Sequence, residues 1–174
     1  MTLNDIRIHE HPFGYGLTGL WLRDDRDTSS EIAVRAGEPL KVGATAGQFC
    51  VRMVDADTTI GTDQPTVGVA AAPSTETASV DGNVEYFLPL PGVIYEIKAL
   101  TASLADTEAK INLLRGEYHI LDLSATTASG VYSLDTAAGT GASNAFLITG
   151  GDPVRSVLYI MFRSDSTVFG RAQV

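Results

Sequence analysis

The stretch TVGVAAAPSTETASVDGNVEYFLPLPGVIYEIKA, Thr66 to Ala99, decides the fold class. Val84, Tyr86 and Leu88 alternate with Asn83, Glu85 and Phe87. Val93, Tyr95, Ile97 and Ala99 alternate with Ile94, Glu96 and Lys98. A period of two puts successive side chains on opposite faces, so both runs read as strands with one face buried. Asp81-Gly82-Asn83 is a turn, and Pro89 and Pro91-Gly92 mark a corner, because proline cannot donate to a ladder. The stretch predicts sheet.

Working outward, the same patterns recur. Glu38 to Val42, Gln48 to Val54 and Thr66 to Ala71 read as strands before the corner. Tyr118 to Leu123, Gly130 to Leu134, Ala145 to Thr149 and Val157 to Phe162 follow it, separated by Gly, Ala, Ser and Thr. The run Val157 to Phe162 is apolar on both faces, which places it in the centre of a sheet or under a neighbouring subunit and not at an open edge. Ala105 to Gly116 is the good helix candidate: Asp106 or Thr107 caps its start, Glu108 suits the positive end of the dipole, and Gly116 suits the left-handed position past its end. A helix this short draws its stability from packing and is expected to plug one end of the fold.

The expected architecture is therefore mainly β, built from small barrel or sandwich units with one short helix. Residues 1–36 read as an extended N-terminal arm, 37–100 as a first β unit, and 101–174 as a second with the capping helix. In the arm, Ile6 to His9 reads as a short strand, and a Gly-punctuated aromatic stretch follows without a sustained period. Its apolar groups, Phe13, Tyr15, Leu17, Leu20, Trp21 and Leu22, need another surface to bury against. That surface is either the chain's own β domain or a partner, for which these six are the candidate interface residues.

Composition narrows the function. A chain of 174 residues with 44% hydrophobic content builds a sizeable core. The net charge of -9 weighs against nucleic-acid binding, since Arg23, Arg26 and Arg35 are interleaved with Asp24, Asp25, Asp27 and Glu31 and make no basic footprint. Cys50 is the single cysteine, so no intrachain disulfide and no cysteine-built zinc site form. No signal-like leader or bilayer-length apolar run is read, which predicts synthesis in a reducing cytoplasm and no membrane partner.

No catalytic pattern completes itself. His9-Glu10-His11 has the spacing that puts two imidazoles on one face of a strand, but a metal site needs a full ligand set and His119 is far along the chain. Asp55-Ala56-Asp57 with Gly61 falls short of a calcium loop, because the glycine is one place late and the closing Glu is missing. His119, Asp122 and Ser124 do not make a triad, since His119 and Asp122 point to opposite faces of one strand. Gly139 to Ser143 lacks the lysine of a phosphate loop, and Cys50 has neither a helix N-terminus nor a cluster of cations beside it in sequence to activate it. The expectation is a protein that is not an enzyme, with no cofactor and no metal.

One resemblance remains. Gly68-Val69-Ala70, a small polar loop, Ala78-Ser79-x-Asp81-Gly82-x-Val84 and then Leu88-Pro89-x-Pro91-Gly92-x-x-Tyr95 resembles the capsid decoration, or cement, proteins of tailed bacteriophages. Leu121-Asp122-Leu123, Tyr132 to Thr136 and Ile148 to Pro153 extend the likeness, which runs from about Gly37 to the C-terminus. The resemblance implies a β-rich structural protein on the outer surface of the phage virion. It would bind the major capsid protein and itself, as a homotrimer, and stabilise the capsid lattice. The alternative is a receptor- or carbohydrate-binding β module of a phage fibre or tail.

Overall fold

The computed structural model describes residues 6–10, 18–23, 34–43, 50–53, 65–75, 82–124, 130–138, 140–141 and 144–167. Eleven strands run through them: β1 (Arg7–Glu10), β2 (Thr18–Arg23), β3 (Pro39–Val42), β4 (Cys50–Arg52), β5 (Thr66–Ala70), β6 (Gly82–Phe87), β7 (Ile94–Lys98), β8 (Tyr118–Leu123), β9 (Tyr132–Asp135), β10 (Phe146–Asp152) and β11 (Val157–Phe162). The helix α1 (Glu108–Leu114) lies between β7 and β8. The protein is mainly β, as the alternating runs predict.

The strands make two sheets. One has six strands in the order β1-β7-β11-β10-β8-β9, and the other five in the order β2-β6-β5-β3-β4. Every described ladder is antiparallel. The apolar run β11 sits between β7 and β10, where both of its edges are paired. The six-stranded sheet curls until its edge strand β9 meets the end of β7: the Leu100 N–H donates to the Leu134 carbonyl at 2.9 Å, and Ala99 and Leu134 form one parallel bridge. One bridge is not a ladder, so the expected barrel stops short of closure.

The N-terminal segment enters both sheets. β1 lies along β7, and β2 lies along β6 over its whole length, with Trp21 opposite Val84. No strand is read at Thr18–Arg23 from the sequence, because Gly14, Gly16 and Gly19 obscure the period; β6 supplies the ladder that the local sequence does not advertise. The sheets also do not divide at residue 100. β7, grouped above with the earlier strands, pairs with β11 and β1.

The larger apolar cluster joins the sheets. It takes Tyr95, Ile97, Phe146, Ile148, Leu158 and Ile160 from the six-stranded sheet, Val69 from the five-stranded one, and Met53 just after β4, with Phe87 packed against it. A second cluster, with Leu40, Val42, Cys50, Val84 and Tyr86, lies on the other face of the five-stranded sheet. Fully burying one such side chain stabilises by roughly 1.5–3 kcal/mol. The larger cluster holds the short helix in place: α1 sets Ile111 against Gly151 of β10, where a Cβ would come within 3.1 Å of the Ile111 side chain. Thr107 caps it, its Oγ1 accepting from the Lys110 N–H at 3.3 Å, and Gly116 takes the expected left-handed conformation at φ 88°.

Buried charge ties the pieces together. Glu38, fully buried, accepts from the Arg35 N–H and Nε at 3.0 and 2.9 Å and lies 3.5 Å from Arg52. Arg52 Nε donates to the Tyr132 hydroxyl at 3.3 Å, and that hydroxyl donates to the Met53 carbonyl at 2.7 Å. A chain of hydrogen bonds thus runs from the five-stranded sheet to β9 of the other.

Candidate functional site

The six-stranded sheet has one end where β7 and β10 finish and β11 begins. Three segments meet there. The β10–β11 turn is joined to the end of β7 by the Ala99 N–H, which donates to the Ser156 carbonyl at 3.1 Å. The stretch after β7 makes a single 3-10 turn at Ala102–Leu104. The helix α1 lies over the last residues of β10, with the Gly116 N–H donating to the Ile148 carbonyl just past its end.

These segments expose apolar side chains. Leu113 on α1 is 78% exposed and Val154 at the tip of the β10–β11 turn is 92% exposed, while Leu100 after β7 and Leu104 on the 3-10 turn are exposed as well. Among the described residues these four are the exposed large hydrophobics, and all fall on the three segments of this one end. Single exposed apolar residues are ordinary, whereas a group of them on adjoining segments marks an interaction surface.

The turn that carries Val154 is rigidly built. Asp152 Oδ1 accepts from the Val154 and Arg155 N–H groups at 3.0 and 3.3 Å, and Ser156 sits at φ 51° in the left-handed region. Arg155 is then aimed back over the sheet at Glu96 of β7. Glu96 accepts from both Arg155 Nη atoms at 3.3 and 3.4 Å, pairs with Arg7 of β1, and lies 3.7 Å from His9 Nδ1. His9 in turn stacks on Tyr159, with ring centroids 3.7 Å apart. Glu96 is thereby only 2% exposed although it stands on the outward face of its strand.

The residues singled out from sequence fare differently. Phe13, Tyr15 and Leu17 lie outside the described residues. Leu20, Trp21 and Leu22 lie on β2, opposite Glu85, Val84 and Asn83 of β6. The His9-Glu10-His11 pair is not assembled on described residues, since His11 lies outside them and His9 is engaged with Tyr159. Asp55, Asp57 and Gly61 also lie outside them. His119 is 1% exposed, with Nδ1 3.2 Å from the Asp135 carbonyl and Nε2 3.2 Å from Glu117, while Asp122 stands on the other, half-exposed face of β8. Strand alternation separates them as expected. Cys50 is buried. Among the described residues no group of three or more His, Cys, Asp or Glu side chains is placed to hold a metal ion, and no helix is long and apolar enough to cross a membrane.

The Glu96 and Glu38 clusters escape a sequence reading. Glu96, a lone acid in an alternating run, reads as an outward, hydrated residue, and its cations Arg7 and Arg155 stand far off along the chain. Only the unusual Glu38-Pro39 step at the start of an apolar strand hints at a buried acid.

No protein-family model, curated protein or solved structure matches this chain.

Proposed function

We propose that the chain is a structural protein of a tailed-phage virion, a homo-oligomer of trimeric form that binds the outer surface of the head and stabilises the lattice of the major capsid protein. The motif likeness described above supplies the lattice. The observation that carries the reading to a surface is the gathering of Leu100, Leu104, Leu113 and Val154 at one end of the six-stranded sheet. A rigid β scaffold that presents an apolar end suits a subunit that seals seams between other subunits. Binding only the assembled shell shifts the equilibrium toward that shell by mass action. Closed symmetry limits each assembly to one site on the lattice, and many modest interfaces add to a large mechanical effect.

The test is addition of the purified protein to heads stripped of it, followed by sedimentation and thermal challenge. Saturable binding that raises the temperature at which heads burst is expected. Leu113→Asp with Val154→Asp should abolish the binding and leave the circular dichroism unchanged, since both side chains are exposed. Trp21→Ala tests the N-terminal contribution. Deleting residues 1–36 is a poor substitute, because it removes an edge strand from each sheet. Intact protein that stays in the supernatant and leaves the heads no tougher would overturn the proposal.

A further inference from the structure

The opposite end of the same sheet, where β8 and β10 begin and β11 finishes, holds a groove of about 400 Å³. Its floor comes from outward residues of adjacent strands, Leu147 and Met161, which face each other across β10 and β11. Pro89 and Pro91 of the β6–β7 corner make one wall. Tyr118 closes it, with the Arg163 guanidinium stacked 4.7 Å from the ring centroid. Arg163 is held in turn by Asp165, Nε to Oδ1 at 3.0 Å and Nη2 to Oδ2 at 2.7 Å.

The polar wall is built in advance of any ligand. The Arg163 N–H donates to the Ala145 carbonyl at 3.0 Å. Past it the chain makes a 3-10 turn at Ser164–Ser166, in which Ser166 Oγ donates to the Arg163 carbonyl at 2.7 Å and Thr167 Oγ1 to the Ser164 carbonyl at 2.9 Å. Thr167 then bridges to Thr66 of the other sheet. The Tyr118 carbonyl is held by Asn144 Nδ2 at 3.1 Å. A wall fixed this way loses little entropy when a ligand binds.

The chemistry selects the ligand class. Among the described residues, Arg163 and Asp165 are the charged side chains lining the groove, and they neutralise each other, so this pair offers neither an anion nor a cation a net counter-charge. Together they still offer guanidinium donors and carboxylate acceptors side by side. Opposite them lies an apolar floor. A ligand that matches has one polar edge rich in hydroxyl groups, one face of C–H bonds and no charge. The volume falls in the range of small-molecule sites. We infer that this groove binds a neutral saccharide, with its hydroxyl edge on Arg163 and Asp165 and its C–H face on Leu147 and Met161. The site is independent of the apolar end proposed for the lattice.

The experiment is calorimetric titration and saturation-transfer NMR of the full chain. The probes are neutral hexoses, N-acetylhexosamines and their disaccharides at millimolar concentration, with glucuronate and glucosamine as charged arms. Saturable binding of at least one neutral sugar is expected, stronger than that of either charged analogue. Tyr118→Ala and Asp165→Asn should each weaken it about tenfold, the size of one lost charged hydrogen bond. Asp165 is exposed, so Asp165→Asn reads the site even if Tyr118→Ala perturbs β8. No saturable binding of any neutral sugar, tighter binding of a charged one, or affinity unchanged by Asp165→Asn would overturn the inference.

Discussion

Arg155, in the turn between β10 and β11, holds the buried carboxylate of Glu96 with both terminal nitrogens at 3.3 and 3.4 Å, across 59 residues of sequence. Arg7 holds the same carboxylate from the other side. The contact binds the edge strand β1 and the turn carrying Val154 to β7. It couples the N-terminal strand to the shape of the proposed lattice-binding end.

The burial of the partners differs, and the mutants should differ accordingly. Glu96→Ala leaves two guanidiniums that are already 48% and 42% exposed and can rehydrate, so it should cost about 1 kcal/mol. Arg7→Ala with Arg155→Ala removes both guanidiniums from a carboxylate only 3% exposed, leaving the His9 ring 3.7 Å away, and should cost about 3 kcal/mol. Urea unfolding of the two variants checks the order. Equal losses would show that Glu96 rehydrates freely.

Tyr132 should couple the sheets. Tyr132→Phe removes the hydroxyl that donates to the Met53 carbonyl and accepts from Arg52, leaving two buried groups short of a partner. The expected loss is about 1–3 kcal/mol. Amide exchange should rise around Met53 and β9 more than in β10 and β11.

Gly68 should tolerate no side chain. A Cβ there would lie 2.2 Å from the Phe87 carbonyl oxygen and 2.8 Å from the Tyr86 ring, and the residue's φ is 155°. The oxygen belongs to the backbone of the paired strand and cannot step aside. Gly68→Ala should cost about 3 kcal/mol or more and loosen β5 from β6, as thermal unfolding would record. Gly116→Ala, with open space around its Cβ but φ at 88°, should cost about 1 kcal/mol.

Alkaline stability should follow the buried tyrosines. Burial raises the Tyr95 phenol well above its ordinary value near 10, and burial, then the Cys50 thiol, raise that of Tyr86. Both phenols keep their protons in the folded chain while an unfolded chain loses them above pH 10. Their contribution is fully present below that pH and is lost as pH rises through the folded values, by about 1.4 kcal/mol per pH unit per group. Tyr95→Phe should lose about 1 kcal/mol near neutrality, with the bond from its hydroxyl to the Leu88 carbonyl, yet show a shallower alkaline decline. Denaturant midpoints taken across the alkaline range decide it.

The apolar end and the groove are written into the sequence to different degrees. Tyr118 and Leu147 alternate with buried neighbours and are legible as outward, whereas Met161 stands in a run apolar on both faces; nothing local says that the three form one row, because that depends on register. Leu113 reads as outward once Ile111 is set inward on the helix. Val154 gives no local sign, since a hydrophobic residue in a turn reads as ordinary.

The amino-acid sequence by itself determined most of the strands, Thr18–Arg23 excepted, and the buried face of those that alternate. Tyr118–Leu123 follows from side-chain period, Val157–Phe162 from an unbroken short apolar run, the corner from Pro89 and Pro91, and the helix from Thr107 and Gly116. These are local effects, written in residues a few positions apart. The tertiary structure alone decided that β7 joins the later strands, that β2 lies on β6, that the curled sheet stops at one bridge, and that Arg155 reaches Glu96. Every strand offers the same backbone donors and acceptors, so local pattern names a strand without naming its partner. The choice of partner is settled by how well the buried faces of the whole chain fill one core.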